Sequence, residues 1–494
     1  ADNVDLVLDG DNSRIMALKK KDGYYSVFVK GLKAGTLYGY RLGDNGTYPD
    51  PCSLFQPKGP MGPSMVIDHR EFKWTDKQWN GPKKQKNIVY ELHIGTFTNT
   101  GTFIQATQKL EQLKWLGVTI LDVMPGADAF GRWGWGYDGV NMFATNHNYG
   151  PPDSFKFFID KAHSLGLAVI LDVVYHHFGT SGNFIKAFSG HYFTDKYKNE
   201  WGQAINFHGK NARYVREFFI QNACYWINDF HLDGLRFDAA QNLYDMGKEH
   251  IIARIVESCR RTAGARDLFF LEENNEQQAF MVRPLSEKGY GIDAAWAEDF
   301  YKSAYVAITG KPEGYASDYK GNSQELISAI KNGYLFQGQY SRWIDAPLGT
   351  EAGDLPAESF LFFLQNHDQI ANSITGRRIS EFCPKALYRT LAALLFLSPE
   401  NVLIFMGQEF GSTTPFTFFA EQETYLKKAI WKGRKRLIGQ FKSFRKFLDD
   451  VPDPYDQSSF LKCKLDDIEH KKNKVLLNFH RDLFSIRKND PIIS

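Results

Sequence analysis

Residues 231–243 read HLDGLRFDAAQNL. Leu232, Leu235, Phe237 and Ala239 are apolar strand positions, yet Arg236 and Asp238 interrupt them. A buried strand cannot carry an arginine and a carboxylate two residues apart unless both find partners. The stretch therefore reads as a strand whose C-terminal end reaches a place where other polar groups gather.

Seven further runs of the same kind surround it from residue 87 onward: NIVYELHI (87–94), TILDVMP (119–125), LAVILDVVY (167–175), LFFLEEN (268–274), DAAWAEDF (293–300), FLFFLQNHD (360–368) and VLIFMGQEF (402–410). Several are continuously apolar, as parallel strands covered on both faces must be. Helical patterns lie between most of them. Ala106, Leu110 and Leu113 repeat at helical spacing, as do Phe158, Ala162 and Leu165, with Asp153 or Ser154 as the cap and Gly166 as the stop. Val215, Phe219, Asn222 and Trp226 trace a longer helix, Pro384 opens another, and the stretch NKVLLNFHRDLFSIRKNDPII forms the last. Eight such units in residues 84–494 predict a (β/α)8 TIM barrel, with an insertion at about 175–210 after the third strand.

Residues 1–83 have another rhythm. Short alternating runs such as YYSVFVKGL (24–32) and TLYGYRLG (36–43) are separated by turn residues and predict a small immunoglobulin-like β-sandwich. The polar stretch TDKQWNGPKKQK (75–86) reads as the linker.

The totals exclude several classes. Among 494 residues, 59 Lys and Arg balance 57 Asp and Glu, so nothing calls for nucleic acid as a partner. No apolar run reaches the length of a membrane span. Five cysteines without a CxxC spacing argue against a disulfide framework or a zinc site. With no signal-peptide pattern in ADNVDLVLDG, they point to a reducing, cytoplasmic compartment. Ten Trp and 24 Tyr fit either a large aromatic core or stacking on flat ligands such as sugars.

Active sites of such barrels lie at the C-terminal ends of the strands. Asp172, followed by His176 and His177, stands near the end of the third strand, Arg236 and Asp238 at the fourth, and His367 and Asp368 at the seventh. At the fifth, strand alternation lets only one of Glu272 and Glu273 face the mouth. Carboxylates collected at one rim suit glycoside hydrolysis: one attacks the anomeric carbon, another protonates the leaving oxygen, a third stabilises positive charge on the ring. Arg236, two residues before Asp238 on the same strand face, is expected to hold its carboxyl pKa down. Taken alone, each of these residues is more often part of a turn, a cap or a structural bond. A retaining mechanism requires two of the carboxyls about 5–5.5 Å apart.

The stretches LDVVYHHFG (171–179), GLRFDAA (234–240), LEEN (271–274) and LQNHDQ (364–369) resemble the four signature regions of the α-amylase superfamily, glycoside hydrolase family 13. YELHIGTFTNTGTF, GWGYDGVNMFA, EWGQAINFHG and FMGQEFGSTTPFTFF narrow the resemblance to the malto-oligosyltrehalose trehalohydrolase subfamily, over nearly the whole chain. The resemblance implies Asp238 as nucleophile, Glu273 as proton donor and Asp368 as transition-state stabiliser. It implies substrate contacts from Tyr137, Asp138, His177, Arg236, His367, Gln369, Trp135 and Asp299, with no cofactor and no metal. The substrate it implies is a malto-oligosyl-trehalose or related α-glucan, cleaved to release trehalose. It also implies a C-terminal β-domain, for which no segment of this sequence is left. The alternatives are a branching or other α-glucan-acting enzyme of the same superfamily, and a non-catalytic glucan-binding protein.

Four departures from the pattern stand out: His176 for Asn, Gln241 for His, Gln408 for Glu, and the stretch WAEDFYK (296–302) for WNDDFHH, which brings in Glu298, Tyr301 and Lys302. The Asn replaced by His176 serves a calcium ion in calcium-binding amylases, so the pattern does not call for one here.

Overall fold

The computed structural model of the chain describes residues 3–9, 14–21, 23–83 and 86–491. Eight parallel strands close into a barrel: β1 (Ile88–Leu92), β2 (Ile120–Val123), β3 (Ala168–Val173), β4 (Leu235–Phe237), β5 (Leu271–Glu272), β6 (Ala294–Trp296), β7 (Phe360–Phe362) and β8 (Asn401–Phe405), with β8 pairing back onto β1. Seven of the strands lie inside the runs read from the sequence, and β8 begins one residue ahead of its run, at Asn401.

Two-residue alternation divides the barrel interior into layers. The lower layers are apolar: Val89, Ile120, Ala168, Ile170, Leu271, Ala294 and Leu361 form one buried cluster. Two residues further along β1, β2 and β3 the same face carries Glu91, Asp122 and Asp172, all buried. Register sets Glu91 beside Asp122, and Asp172 beside Arg236. The opposite strand faces pack under the helices in the larger core, with Leu92, Leu171, Phe237, Phe270 and Phe362.

The outer ring includes helices Pro152–Ser164, Ala212–Asp229, Ile251–Ala263, Glu298–Thr309, Lys385–Phe396 and Lys474–Asn489. The first of these starts differently from expectation. Asp153 lies inside its first turn and makes no cap, because Pro152, which has no N–H to satisfy, begins the helix. The pattern over 106–113 divides into two helices, Phe103–Thr107 and Leu110–Leu116. The region after β3 holds a hairpin, Phe193–Asn199 with Gly202–Ile205.

Ahead of the barrel, the described residues form strands and one 3-10 turn, His69–Glu71. Strands Arg14–Ala17, Val4–Asp9, Leu37–Leu42 and Thr47–Tyr48 form an antiparallel sheet in that order, with Ser64–Met65 also on Leu37–Leu42. Lys19–Lys21 and Tyr24–Ser26 make a separate hairpin. Of the run 24–32 only Tyr24–Ser26 is a strand, and Phe28 beyond it is 87% exposed. Tyr40 and Tyr48 lean on Phe184 and Phe188 of the insertion.

The segment read as a linker is pinned under the barrel, apart from residues 84 and 85, which lie outside the described residues. Asp76 bonds His163 and His231 at 2.8 Å each, Trp79 donates to Asp233 at 2.7 Å, and Trp79 stacks on His163. Its anchors, His163, His231 and Asp233, are 84 or more residues away in sequence, which local composition does not reveal.

Candidate active site

The site hangs on β4. Gly234, at φ +151°, lets the chain enter the strand where a Cβ would stand 1.8 Å from the carbonyl oxygen of Phe269. Arg236 then points into the barrel and is completely buried. Its Nη1 bonds Asp172 at 2.5 Å and Asp238 at 2.8 Å, and its Nη2 bonds Glu273 at 2.7 Å. The guanidinium lies 4.2 Å over the ring of Trp296, which supports it from β6. Asp238 and Glu273 thus share one cation through different nitrogens.

Past Asp238 the backbone turns left-handed at Ala239 (φ +41°), an uncommon conformation for a residue with a Cβ. The turn directs the Ala239 N–H onto Glu273 Oε2 at 3.2 Å, and the Ala240 N–H onto the Glu273 carbonyl at 2.8 Å. Of the two adjacent glutamates, Glu273 enters the mouth. Glu272 points the other way, buried, with neither carboxylate oxygen hydrogen-bonded.

Burial raises both carboxyls at the centre. It outweighs the Arg236 charge and, helped by Asp172 and Asp368, brings Asp238 to about 6. Burial again, with the charge of Asp238 opposing that of Arg236, brings Glu273 to about 8. The expectation that Arg236 would hold Asp238 down fails for that reason: the cation is divided among three carboxylates. Beneath them burial also raises Asp172, whose Oδ1 has no hydrogen-bond partner, and Asp122.

The loop after β2 supplies Tyr137. Gly136, at φ +103°, passes 2.2 Å from the Pro125 oxygen, measured from where a Cβ would stand. Tyr137 donates to Asp172 at 2.7 Å, bonds His367 Nε2 at 2.9 Å, and stacks on the His367 ring. His367 Nδ1 is held by Glu91 at 2.6 Å. Burial works against its charge, but Asp368 and Glu91 prevail and raise it to about 9, so it is an imidazolium at neutral pH. Asp368 Oδ2 stands 3.6 Å from it, with its side chain 38% exposed to the cleft. His177 bonds His176 at 2.8 Å, and burial lowers it to about 4. His176 in turn reaches within 3.7 Å of Asp238 Oδ2.

Three expected substrate contacts stand elsewhere. Asp299 is fully buried, bonded to Tyr319, to Gln277 at 2.8 Å and to the backbone of Leu335 at 2.6 Å. The chain has already become helix at Glu298, so residue 298 and not 299 faces the cleft. Trp135 is buried behind Tyr137 and His367, donating to the Thr417 carbonyl at 3.1 Å. Asp138 accepts a hydrogen bond from Gln422 and joins none of the carboxylates around Arg236. Gln369 does reach the cleft, accepting from Tyr315 at 2.6 Å.

A cleft of about 380 Å³ opens beside Glu273 and Asp368, walled by Glu298, Lys302, Tyr315 and Trp343. Trp201, 49% exposed at the insertion hairpin, stacks on His177. Sequence reasoning did not place Glu91, Asp122, Trp201, Trp296, Tyr315 or Trp343 here. Strand parity from Val89 and Ile120 could have found the first two. Among the described residues, no group of three or more His, Cys, Asp or Glu side chains could hold a metal ion, and no helix is long and apolar enough to cross a membrane.

The family model "Alpha amylase, catalytic domain" matches residues 92–213. The malto-oligosyltrehalose trehalohydrolase of Saccharolobus solfataricus is 37% identical over 479 residues, covering 97% of this chain and 82% of its own. That of Deinococcus radiodurans is 36% identical over 451 residues, 90% of this chain and 73% of its own. A crystal structure of a putative alpha amylase from Salmonella typhimurium superposes with a TM-score of 0.92 at 34% identity, over 99% of this chain and 82% of that one.

Proposed function

The chain belongs to the malto-oligosyltrehalose trehalohydrolase family, and from that premise we propose that it cleaves the α-1,4 bond between a malto-oligosaccharide and a terminal trehalose, with Asp238 and Glu273 as the reacting pair. It is a glycoside hydrolase of the α-amylase superfamily.

The observation that carries the assignment is one buried guanidinium holding two carboxyls of unequal acidity. With Asp238 at about 6 and Glu273 at about 8, the first is mostly ionised at neutral pH and the second mostly protonated. A pair separated in this way supplies a nucleophile and an acid. Asp238 attacks the anomeric carbon of the last malto-oligosaccharide glucose, its Oδ2 being the oxygen that Arg236 does not bond. Glu273 gives its proton to the departing O4 of trehalose. The glycosyl–Asp238 ester then forms, and Glu273, now a carboxylate, takes a proton from water as that water attacks the same carbon. The products are trehalose and the shortened malto-oligosaccharide, and both carboxyls return to their starting states. Asp368, facing the cleft beside His367, opposes the positive charge of the oxocarbenium-like transition state. Tyr137, its hydroxyl fixed at two points, offers its ring as the floor for the reacting glucose. Neutral His177 and the His367 imidazolium, whose two N–H groups are held by Glu91 and Tyr137, flank the reacting glucose. The N-terminal β segment, residues 1–83, is a separate module of carbohydrate-binding type in this reading, and residues 84–494 are the catalytic domain.

Incubation with maltotriosyl-trehalose and with maltopentaose tests the reading by product analysis. Free trehalose and maltotriose from the first substrate are expected. New α-1,6 branches would assign a branching enzyme, and binding without turnover a non-catalytic protein.

A further inference from the structure

We propose that Glu298 and Lys302 select the departing sugar, chelating adjacent hydroxyls of a 1,1-linked diglucoside on the far side of the acid Glu273. The inference rests on the hydrolase reading above and concerns its specificity.

The two residues lie one turn apart on the helix Glu298–Thr309, and Glu298 Oε2 meets Lys302 Nζ at 2.7 Å. Both are largely buried, 15% and 10% exposed at the side chain, yet both line the cleft that contains Glu273 and Asp368. That cleft excludes Tyr137, His177 and Arg236, which surround the attacked glucose. Its walls therefore belong to the side on which the proton from Glu273 is delivered, where the leaving group sits.

A buried ion pair adds little to stability, and apolar residues of similar volume replace such pairs at small cost. Its presence in a cleft wall asks for another reason. The remaining hydrogen-bonding capacity supplies one. Glu298 Oε1 has only a long bond from Gln369 Nε2, 3.4 Å. Lys302 Nζ bonds Glu298 and otherwise faces the rings of Tyr315 and Tyr319 at 5.8 and 5.9 Å, which attract its charge without satisfying its N–H groups. A carboxylate and an ammonium side by side accept from one hydroxyl and donate to its neighbour. The row is rigid, because Gln369 is itself held by Tyr315 at 2.6 Å. A 1,1 linkage sets the second glucose at a different angle from a 1,4 linkage, so a fixed acceptor–donor pair fits one disaccharide and misses the other.

The test compares two substrates within each protein, which cancels any loss of folded enzyme. The ratio of kcat/KM for maltotriosyl-trehalose to that for maltopentaose is measured for the full chain, for Glu298→Gln, for Lys302→Met and for the double variant, which leaves no lone charge. The ratio is expected to fall at least about tenfold in the double variant, the size seen when a hydrogen-bonding site loses its hydroxyl partners. The loss should reside mainly in KM, and inhibition by free trehalose should weaken to the same extent. A purely structural pair would lower activity on both substrates equally. A ratio unchanged within about twofold, in a wild-type protein that does release trehalose, overturns the inference alone. A wild-type protein that releases none overturns the hydrolase reading and this inference with it.

Discussion

Two buried charge clusters sit at opposite ends of the barrel, and both are attached to β4. At the base, Asp233 accepts from Trp79 at 2.7 Å, from Arg266 at 3.1 Å, from His163 at 2.9 Å and from the Val169 N–H at 2.8 Å. At the mouth, three residues later, Arg236 serves Asp172, Asp238 and Glu273 together. Burial pushes Asp233 up, but His163, Arg266 and Trp79 overcome it and hold the carboxyl low. The same burial at the mouth wins, because Arg236 and the His367 imidazolium face more acids than they can answer. Donors in excess make a clamp, and acids in excess make groups that change protonation near neutral pH.

The largest effect follows from the mouth. Asp238→Asn is expected to lower kcat by on the order of 10⁴–10⁶ with little change in thermal unfolding, as measured by initial rates and calorimetry. Retention of wild-type turnover removes the mouth from the chemistry. At the base the effect should be on stability: Asp233→Ala removes the carboxylate that accepts from His163 Nε2, Arg266, Trp79 and the Val169 N–H and costs about 3–5 kcal/mol in denaturant unfolding, while kcat per folded molecule stays the same. A change in kcat without a change in stability would erase the distinction between the two ends.

The pH dependence sharpens it. The rate constant kcat/KM should be bell-shaped, with limbs near 6 and 8 that belong to the coupled pair, Asp238 needing to be ionised and Glu273 protonated. For stability the sign is opposite at the two ends. The folded-state pKa of Glu273 lies above its ordinary 4.5, so its contribution is full below that value and disappears as pH rises through about 8. The stability of Glu273→Gln relative to wild type should therefore grow between pH 5 and pH 9. Asp233, held low, contributes at neutral pH and loses its contribution in acid. The smallest effect is expected at His176→Asn. Burial keeps that imidazole neutral, so kcat should fall severalfold while the acid limb stays in place.

The eight strands were legible because continuous apolar runs between helical patterns have few other uses. The charges at 172, 236, 238, 273 and 368 were legible because they end those runs. Parity across one residue was harder. Glu272 and Glu273 are separated only by which face β5 turns inward. Asp299 was misplaced because the chain leaves the strand at Ala297 and enters the helix with Glu298 toward the cleft. The base clamp was hidden altogether: TDKQW looks like any polar linker, and its partners His163, His231 and Asp233 lie far along the chain.

The ester on Asp238 is the most direct test. A ring-fluorinated glucosyl fluoride that forms the glycosyl-enzyme faster than it hydrolyses should lose its anomeric fluoride and add one fluoroglucosyl mass, and peptide mapping should find it on Asp238. A label on Glu273 or Asp368, or turnover with inversion and no label, would contradict the assignment of the mouth.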